Sequence, residues 1–455
     1  MAATTYFPAV FIHGTLGWGR RTPFFNLAPN YWPLKQLDDV NPNHIVVEVG
    51  IASSDHDRAC ETFYQLIGGR VDYGEAHAAE KGHLRYGATF DTALHPTWSE
   101  DNPVHLVGHS YGATTALELY QLLCVDFFGI GSNYKWVKSI VSISGTLSGT
   151  TMGSMFGSTL GNPSPYGSIS YLIACGFATL HKLQQHVPWL SNLYDLRMPQ
   201  WAHASSSSWR TLYDPAHKPL NTDDNVFTCL LPQHRLAKNE RLVHMDKIHL
   251  FSIVSQTTNV LTYPPVVEFA TIAAICTMWK LQKPKLWIGL LSLWLCRRLT
   301  RVDWSKPSLF LGYLMKRHAE KADAFYEGYD KDDWQHSDGV VNSYSMIRPR
   351  LSFAPPPPME EPSEEGTPAV MVRVPSHVSI DMGLPDESNA VMISTGQWHV
   401  YRVNKNHLCG TRGDGDAREL YTRLFRLLNQ ISGTSPCDTI LPLPPTQLEL
   451  DFLTT

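Results

Sequence analysis

The chain lacks the positive field that a polyphosphate partner needs. Its 455 residues hold 37 Lys and Arg against 42 Asp and Glu, a formal net charge of -5. Nucleic-acid binding therefore has no electrostatic support. Cysteine is sparse as well: eight residues, at 60, 124, 175, 229, 276, 296, 409 and 437, with no CxxC pair. That scatter speaks against a disulfide scaffold and fits free buried thiols. The opening MAATTYFPAVFIHG has no basic n-region followed by a long apolar stretch, so it reads as a first strand and predicts an intracellular protein. No apolar run reaches the roughly 20 residues that a membrane-spanning helix requires. Charged residues stop at 17%, while hydrophobic residues make up 43% and Trp alone numbers 13. Such a composition belongs to a globular chain with a large core.

Short β-branched runs alternate with helical patterns through the first half, the mark of a parallel sheet covered by helices. Strands are expected at Ala9 to Ile12, His44 to Val49, Val104 to Gly108 and Val137 to Ser144. Another is expected at 249 to 256, HLFSIVSQ, and VMIST at 391 to 395 also reads as strand. Helices are expected over Ala113 to Leu123, Ile169 to Leu183 and Asp416 to Ile431. The whole of 1–455 reads as one α/β unit. It carries a helical insertion at 150–248, read as a lid or as a second helical layer, and an apolar insertion at 285–316. Val266 to Trp279 and Leu286 to Cys296 each read either as a helix lying at a lipid surface or as a buried helix. Residues 353–368, FAPPPPMEEPSEEGTP, are too rich in Pro and Glu to bury a core and read as a solvated, disordered loop.

The chemistry is concentrated at Gly108-His109-Ser110-Tyr111-Gly112, preceded by the apolar VHLV and followed by a helix. G-x-S-x-G at a strand-to-helix turn exposes a serine hydroxyl as a nucleophile, the arrangement of an α/β hydrolase. His13-Gly14-Thr15 follows the first strand, so the backbone N–H groups of Thr15 and Tyr111 are the expected oxyanion donors. The acid and then the base should follow the serine in chain order. Asp338, in HSDGVV, is the preferred acid, with Asp332 and Asp333 as competitors. Among His377, His399 and His407, the last stands in a loop just before the closing helix and is the preferred base. Separately, Asp57, His77 and His83 fall within one stretch that also supplies further carboxylates. Two imidazoles and two carboxylates suit tetrahedral zinc, although a solvated His-rich loop would share that spacing.

Five stretches together resemble the thermoalkalophilic zinc-containing bacterial lipases and their staphylococcal relatives. They are FIHGTLGWGR, the DRACETFYQLIGGRVDYGEAHAAEKGHLRYGATF run, VHLVGHSYGATTA, DDWQHSDGVVNSYSM and the NHL at 406 to 408. The resemblance implies an α/β-hydrolase fold with a mostly parallel sheet, a helical lid and a small zinc-tethered subdomain. It implies Ser110 as nucleophile, Asp338 as acid and His407 as base. It also implies structural zinc on Asp57, His77, His83 and, from NTDDN, Asp223. Where the family has a Trp before the first zinc aspartate this chain has His56, a candidate extra ligand. An aromatic after the HG is replaced by Thr15, and Cys409 and Gly410 stand where the family's calcium site needs an acid, which tells against calcium. The expected activity is a lipase acting on acylglycerols. A short-chain esterase or acyltransferase with the same triad is one alternative, and a catalytically silent zinc-binding scaffold is the other. Peripheral contact with a membrane or lipid-droplet surface accompanies the lipase expectation.

Overall fold

The computed structural model describes residues 4–206, 208–214, 222–257, 264–266, 305–321, 329–351 and 393–432. Six strands form one sheet: β1 (Ala9–Ile12), β2 (His44–Val46), β5 (Val104–His109), β6 (Val137–Ile143), β7 (His249–Gln256) and β8 (Trp398–Asn404). Their spatial order is β2-β1-β5-β6-β7-β8, and every neighbouring pair runs parallel. A separate antiparallel pair, β3 (Gly69–Asp72) and β4 (Tyr86–Phe90), stands apart from the main sheet. The sheet sits where the β-branched runs predict it, with one exchange at its far edge. VMIST contributes no strand among its described residues, and the alternating QWHVYRV run supplies the last strand instead.

Alternation along each strand divides the core between two faces. Val10, Ile12 and Leu106 point to one side, beneath α1 (Asp55–Ile67) and α3 (Tyr111–Cys124). Ala9, Phe11, Val107 and Phe251 point to the other, beneath α7 (Ala417–Ser432). That last helix buries Leu420, Tyr421, Leu424, Phe425, Leu428 and Ile431, a stripe at three- and four-residue spacing. Each such large side chain, fully buried, contributes about 1.5–3 kcal/mol, so α7 is anchored by its apolar face. Between β3 and β4 lies the short α2 (Glu75–Lys81), closed by Gly82 in the left-handed region. After β6 come α4 (Ile169–His186), capped by the Ser168 side chain, and α5 (Pro232–Asn239). Within the apolar insertion, the described part forms α6 (Ser305–Lys321). The stretches 266 to 279 and 286 to 296 lie outside the described residues except for Val266, and so do 353 to 368 and His377. Among the described residues, no helix is long and apolar enough to cross a membrane.

Candidate active site and metal centre

Ser110 stands at the turn between β5 and α3 with φ 56° and ψ -125°. A non-glycine residue held there costs about 1–3 kcal/mol, which the surrounding structure must offset. The flanking glycines make the turn possible. A Cβ on Gly112 would fall 2.1 Å from the Ile12 carbonyl oxygen, and one on Gly108 would fall 2.3 Å from that of Gly112. Strand and helix therefore approach more closely than any side chain permits, and Ser110 projects at the carboxyl end of the central strand.

His407 lies in the loop after β8, and its Nε2 is 2.9 Å from Ser110 Oγ. Its Nδ1 is 2.8 Å from Asp338 Oδ2. The Asp338 carboxylate is fully buried and well supplied with donors. Oδ1 accepts from the backbone N–H of Val340 and Val341 at 3.0 and 2.9 Å, and Oδ2 also accepts from Ser255 Oγ at 2.6 Å. The His407 N–H donates in turn to the Asp338 carbonyl at 3.0 Å, which fixes one loop against the other. The structure thus brings Ser110, His407 and Asp338 together. His399 instead lies on β8, with its Nε2 3.2 Å from the Ser394 carbonyl, and Asp332 accepts from Gln335 in a short helix.

The loop after β1 abuts the serine: a Cβ on Gly14 would lie 2.8 Å from Ser110 Cβ. Thr15 follows Gly14, and Tyr111 opens α3, where the first N–H groups have no partner within the helix. Buried Arg58 clamps this loop from below. It donates to the His13 carbonyl, to the Gly50 carbonyl at 2.9 Å and to Thr115 Oγ1 at 2.9 Å. Beyond His407, Lys405 Nζ sits between Asp414 Oδ1 at 2.6 Å and Asp416 Oδ2 at 2.9 Å. An ammonium group therefore already occupies the space among the carboxylates of that loop.

The second cluster gathers Asp57 from α1, His77 from α2, His83 from the turn after α2, and Asp224. One ligand atom from each lies within 4.8 Å of all the others. His77 Nε2 is 3.3 Å from Asp57 Oδ1 and 3.4 Å from Asp224 Oδ1, and His83 Nε2 is 3.3 Å from Asp224 Oδ2. Asp57 Oδ1, His77 Nε2, His83 Nε2 and Asp224 Oδ2 are all buried without a hydrogen-bond partner. Four converging lone-pair atoms left unsatisfied are what a metal ion requires, and these donors fit one. His83 Nδ1 lies 2.8 Å from the Leu84 carbonyl, which leaves Nε2 as the free acceptor. Asp57 Oδ2 accepts from Gln200 at 2.7 Å. Burial opposes a charged His77, yet contacts with Asp224 and Asp57 push its pKa up to about 9. Burial likewise opposes ionisation of Asp224, but His77 and His83 hold its carboxyl well below the usual range.

The fourth carboxylate corrects the expectation for Asp223. That residue is 56% exposed and pairs with Lys81 Nζ at 3.2 Å, while its neighbour Asp224 turns inward. The cause is local pairing: Ser53 and Asn225 form an antiparallel bridge beside the start of α1. Asp223 and Asp224 lie in the bend just before that bridge, where the Asp224 N–H donates to Thr222 Oγ1 at 3.1 Å, and of the two aspartates only Asp224 is buried against the cluster. His56 is not among the four. Its ring stacks on His77 with centroids 3.9 Å apart, and its Nε2 lies 2.8 Å from the Tyr73 carbonyl. Sequence reasoning missed Tyr31, Arg58, Ser255 and Gln200, whose contacts join separate segments, and also Lys405, whose partners Asp414 and Asp416 lie 9 and 11 positions on in the same loop.

The comparisons with known proteins agree with this architecture. Residues 5–129 match a family model described as the lipase-like, C-terminal domain. Lipase 2 of Staphylococcus aureus is 44% identical over 116 residues, which take in 24% of this chain and 16% of that protein. Lipase 1 of the same species is 40% identical over 124 residues, 26% of this chain and 18% of its own length. The alignment thus spans less than a fifth of these curated relatives. Among solved structures, the Staphylococcus hyicus lipase superposes with TM-score 0.60 at 19% identity, covering 93% of this chain and 96% of its own. EstA from Clostridium botulinum gives TM-score 0.59 at 22% identity, covering 94% and 88%. Lipase 1 from Pelosinus fermentans gives 0.56 at 22%, covering 94% and 99%. The resemblance read from the motifs is upheld: residues 5–129 match the lipase-like C-terminal family, and the chain carries the α/β-hydrolase fold of these lipase structures and of EstA.

Proposed function

We propose that this chain is a lipase, hydrolysing carboxylic esters of acylglycerols through an acyl-enzyme. The observation that carries the reading is the continuous contact from Ser110 Oγ through His407 to Asp338, at 2.9 and 2.8 Å. Ser110 Oγ attacks the ester carbonyl while His407 Nε2 takes its proton, and Asp338 orients and stabilises the imidazolium. The backbone N–H groups of Thr15 and Tyr111 receive the oxyanion. His407 then protonates the departing alcohol, and water, activated by the same imidazole, releases the carboxylate. The names of the similar proteins, lipases of Staphylococcus and Pelosinus, support this class of substrate. Lipid-surface contact is supported by exposed apolar side chains at Phe25, Leu172 and Trp189, which are 53%, 64% and 58% exposed.

Zinc is the metal proposed for Asp57, His77, His83 and Asp224, because two imidazoles and two carboxylates match its preferences. It would supply a cross-link between the α1–β4 region and the 222–225 segment, with no part in ester cleavage. The test is hydrolysis of p-nitrophenyl esters of short and long acyl chains by wild type and Ser110→Ala. Long-chain activity that drops by about 10³-fold or more in the variant supports a lipase with this nucleophile. Short-chain preference makes the chain an esterase, and transfer to added alcohol makes it an acyltransferase. A folded, metal-loaded wild type that hydrolyses none of these esters leaves the scaffold reading.

A further inference from the structure

We infer that Tyr31 and His109 are positioning residues, a hydrogen-bonded strut that holds the oxyanion loop and the general base at a fixed separation; this rests on the ester-hydrolase reading above. Neither residue reaches the reacting atoms in that mechanism, yet both are tied to the two groups that do. The Tyr31 hydroxyl accepts the Gly14 N–H at 3.1 Å and lies 2.5 Å from His109 Nδ1. On the far side of the ring, His109 Nε2 is 2.9 Å from the carbonyl oxygen of His407.

The partners assign every proton along this line. A carbonyl can only accept, so His109 Nε2 carries the hydrogen and donates to His407. The Nδ1 of the neutral ring is then the acceptor, and it takes the Tyr31 O–H. A Tyr31 lone pair is left for the Gly14 N–H. The line requires an uncharged imidazole, and burial, reinforced by the neighbouring His407 ring, pushes the His109 pKa well below its ordinary value. All three bonds point the same way, so each polarises the next.

Geometrically the strut closes a ring. Gly14 lies against Ser110, Ser110 bonds to the His407 side chain, and the His407 backbone returns through His109 and Tyr31 to Gly14. The aromatic groups pack along the same path, with centroids 5.7 Å apart for Tyr31 and His109 and 5.0 Å for His109 and His407. Four segments distant in sequence meet here, and no other contact described above joins the Gly14 loop directly to the His407 loop. A displacement of about 1 Å between reacting groups costs about 10²-fold in rate, which sets the scale of what the strut protects.

The test uses the full chain with its metal and reads kcat and KM separately on p-nitrophenyl butyrate. Tyr31→Phe removes one oxygen and keeps the ring. It is expected to lower kcat by about 10-fold or more with KM within about twofold. His109→Gln, whose amide nitrogen reaches the Nε2 position and still donates to His407 but which leaves the Tyr31 O–H without its Nδ1 acceptor, is expected to fall between wild type and His109→Leu. His109→Leu cannot donate and falls with Tyr31→Phe. The double variant Tyr31→Phe/His109→Leu is no slower than the poorer single variant, as members of one line should behave. Thermal midpoints are recorded for each, and should His109→Leu fail to fold, kcat in Tyr31→Phe decides. Wild-type kcat in Tyr31→Phe overturns the inference, as do kcat losses that follow the midpoints or a strictly additive double variant. A wild type that neither cleaves the ester nor takes a fluorophosphonate at Ser110 removes the hydrolase reading and the strut together, a result distinct from failure of the strut alone.

Discussion

At Asp224 the side chain is 2% exposed and meets both imidazoles at 3.3–3.4 Å, while at Asp223 it is 56% exposed and meets only a lysine. One position in the chain thus separates a buried donor from a solvated one. Asp224→Asn leaves the fold's contacts nearly isosteric but removes the charge that faces two imidazoles and that a bound metal ion would share. Its expected result is metal binding weakened by about 100-fold or more, equivalent to about 2.8 kcal/mol of lost linkage stabilisation at a fixed excess of metal. Asp223→Asn is expected to retain both metal content and thermal midpoint, since an exposed ion pair is worth about 0–1 kcal/mol. Atomic emission on the two purified variants, with midpoints measured before and after chelation, compares them directly. Equal metal loss in both would show that the exposed carboxylate also serves the ion.

Among the elements, α6 makes a contact that its composition alone does not announce. The helix lies on the turn that carries the acid: Ser308 Oγ donates to the Asp338 carbonyl at 3.1 Å, and Gly312 faces Gly339. Gly339 has φ +103°, and a Cβ there would fall 2.0 Å from the Ser308 carbonyl oxygen. Gly339→Ala therefore meets backbone strain of about 1–2 kcal/mol together with overpacking of about 1–3 kcal/mol. The expected outcome is a loss of about 2–5 kcal/mol in urea unfolding, with kcat reduced because Asp338 moves relative to His407. An alanine variant with wild-type stability would mean that α6 does not press on this turn. The HSDGVV pattern showed a strand-end turn, because glycine after the acid is a local signal. The helix that presses on this glycine is Ser305–Lys321, and nothing local in its sequence marks that contact. The same contrast holds across the fold. Strands β1, β5, β6 and β7 were legible because β-branched runs express burial on both faces within four to eight residues. Ser110, Asp338 and His407 were legible because chain order and turn chemistry are local. Tyr31, Arg58 and Ser255 were not, since the hydrogen-bond partners of their side chains lie 8 to 111 positions away and nothing beside them in sequence marks the pairing. The choice of Asp224 over Asp223 depended on a bridge between Ser53 and Asn225, a tertiary fact with no sequence signature.

Over the whole molecule, the fold keeps several histidines uncharged. Burial, followed by Arg58, lowers His13 to about 3, and burial, followed by Lys138 and His249, lowers His105 to about 3. His109 is held well below its ordinary value by burial and by His407. All three are within the sheet or at its carboxyl edge, where their ring nitrogens are engaged: His105, for instance, by Ser139 Oγ at 2.8 Å and Ser432 Oγ at 3.1 Å. In the unfolded chain each takes up a proton near pH 6.5, but the folded protein takes none until far lower pH. The unfolded state therefore binds more protons throughout the interval from about 6.5 down to the folded values, and stability falls as pH falls. Each group contributes about 1.4 kcal/mol per pH unit once its unfolded form is charged, so three give a slope of about 4 kcal/mol per unit. A domain with about 5–15 kcal/mol in hand is expected to lose its fold between roughly pH 5 and 3. Urea midpoints measured from pH 7 to 5 give the slope, to which other buried histidines such as His234 and His249 add, and His105→Gln, which cannot take up a proton, isolates its own share of it. The variant should flatten the slope by about 1.4 kcal/mol per unit while its stability at pH 8 changes only by the lost packing. An unchanged slope in His105→Gln would mean that His105 is already protonated in the folded protein, contrary to its buried, serine-bonded setting.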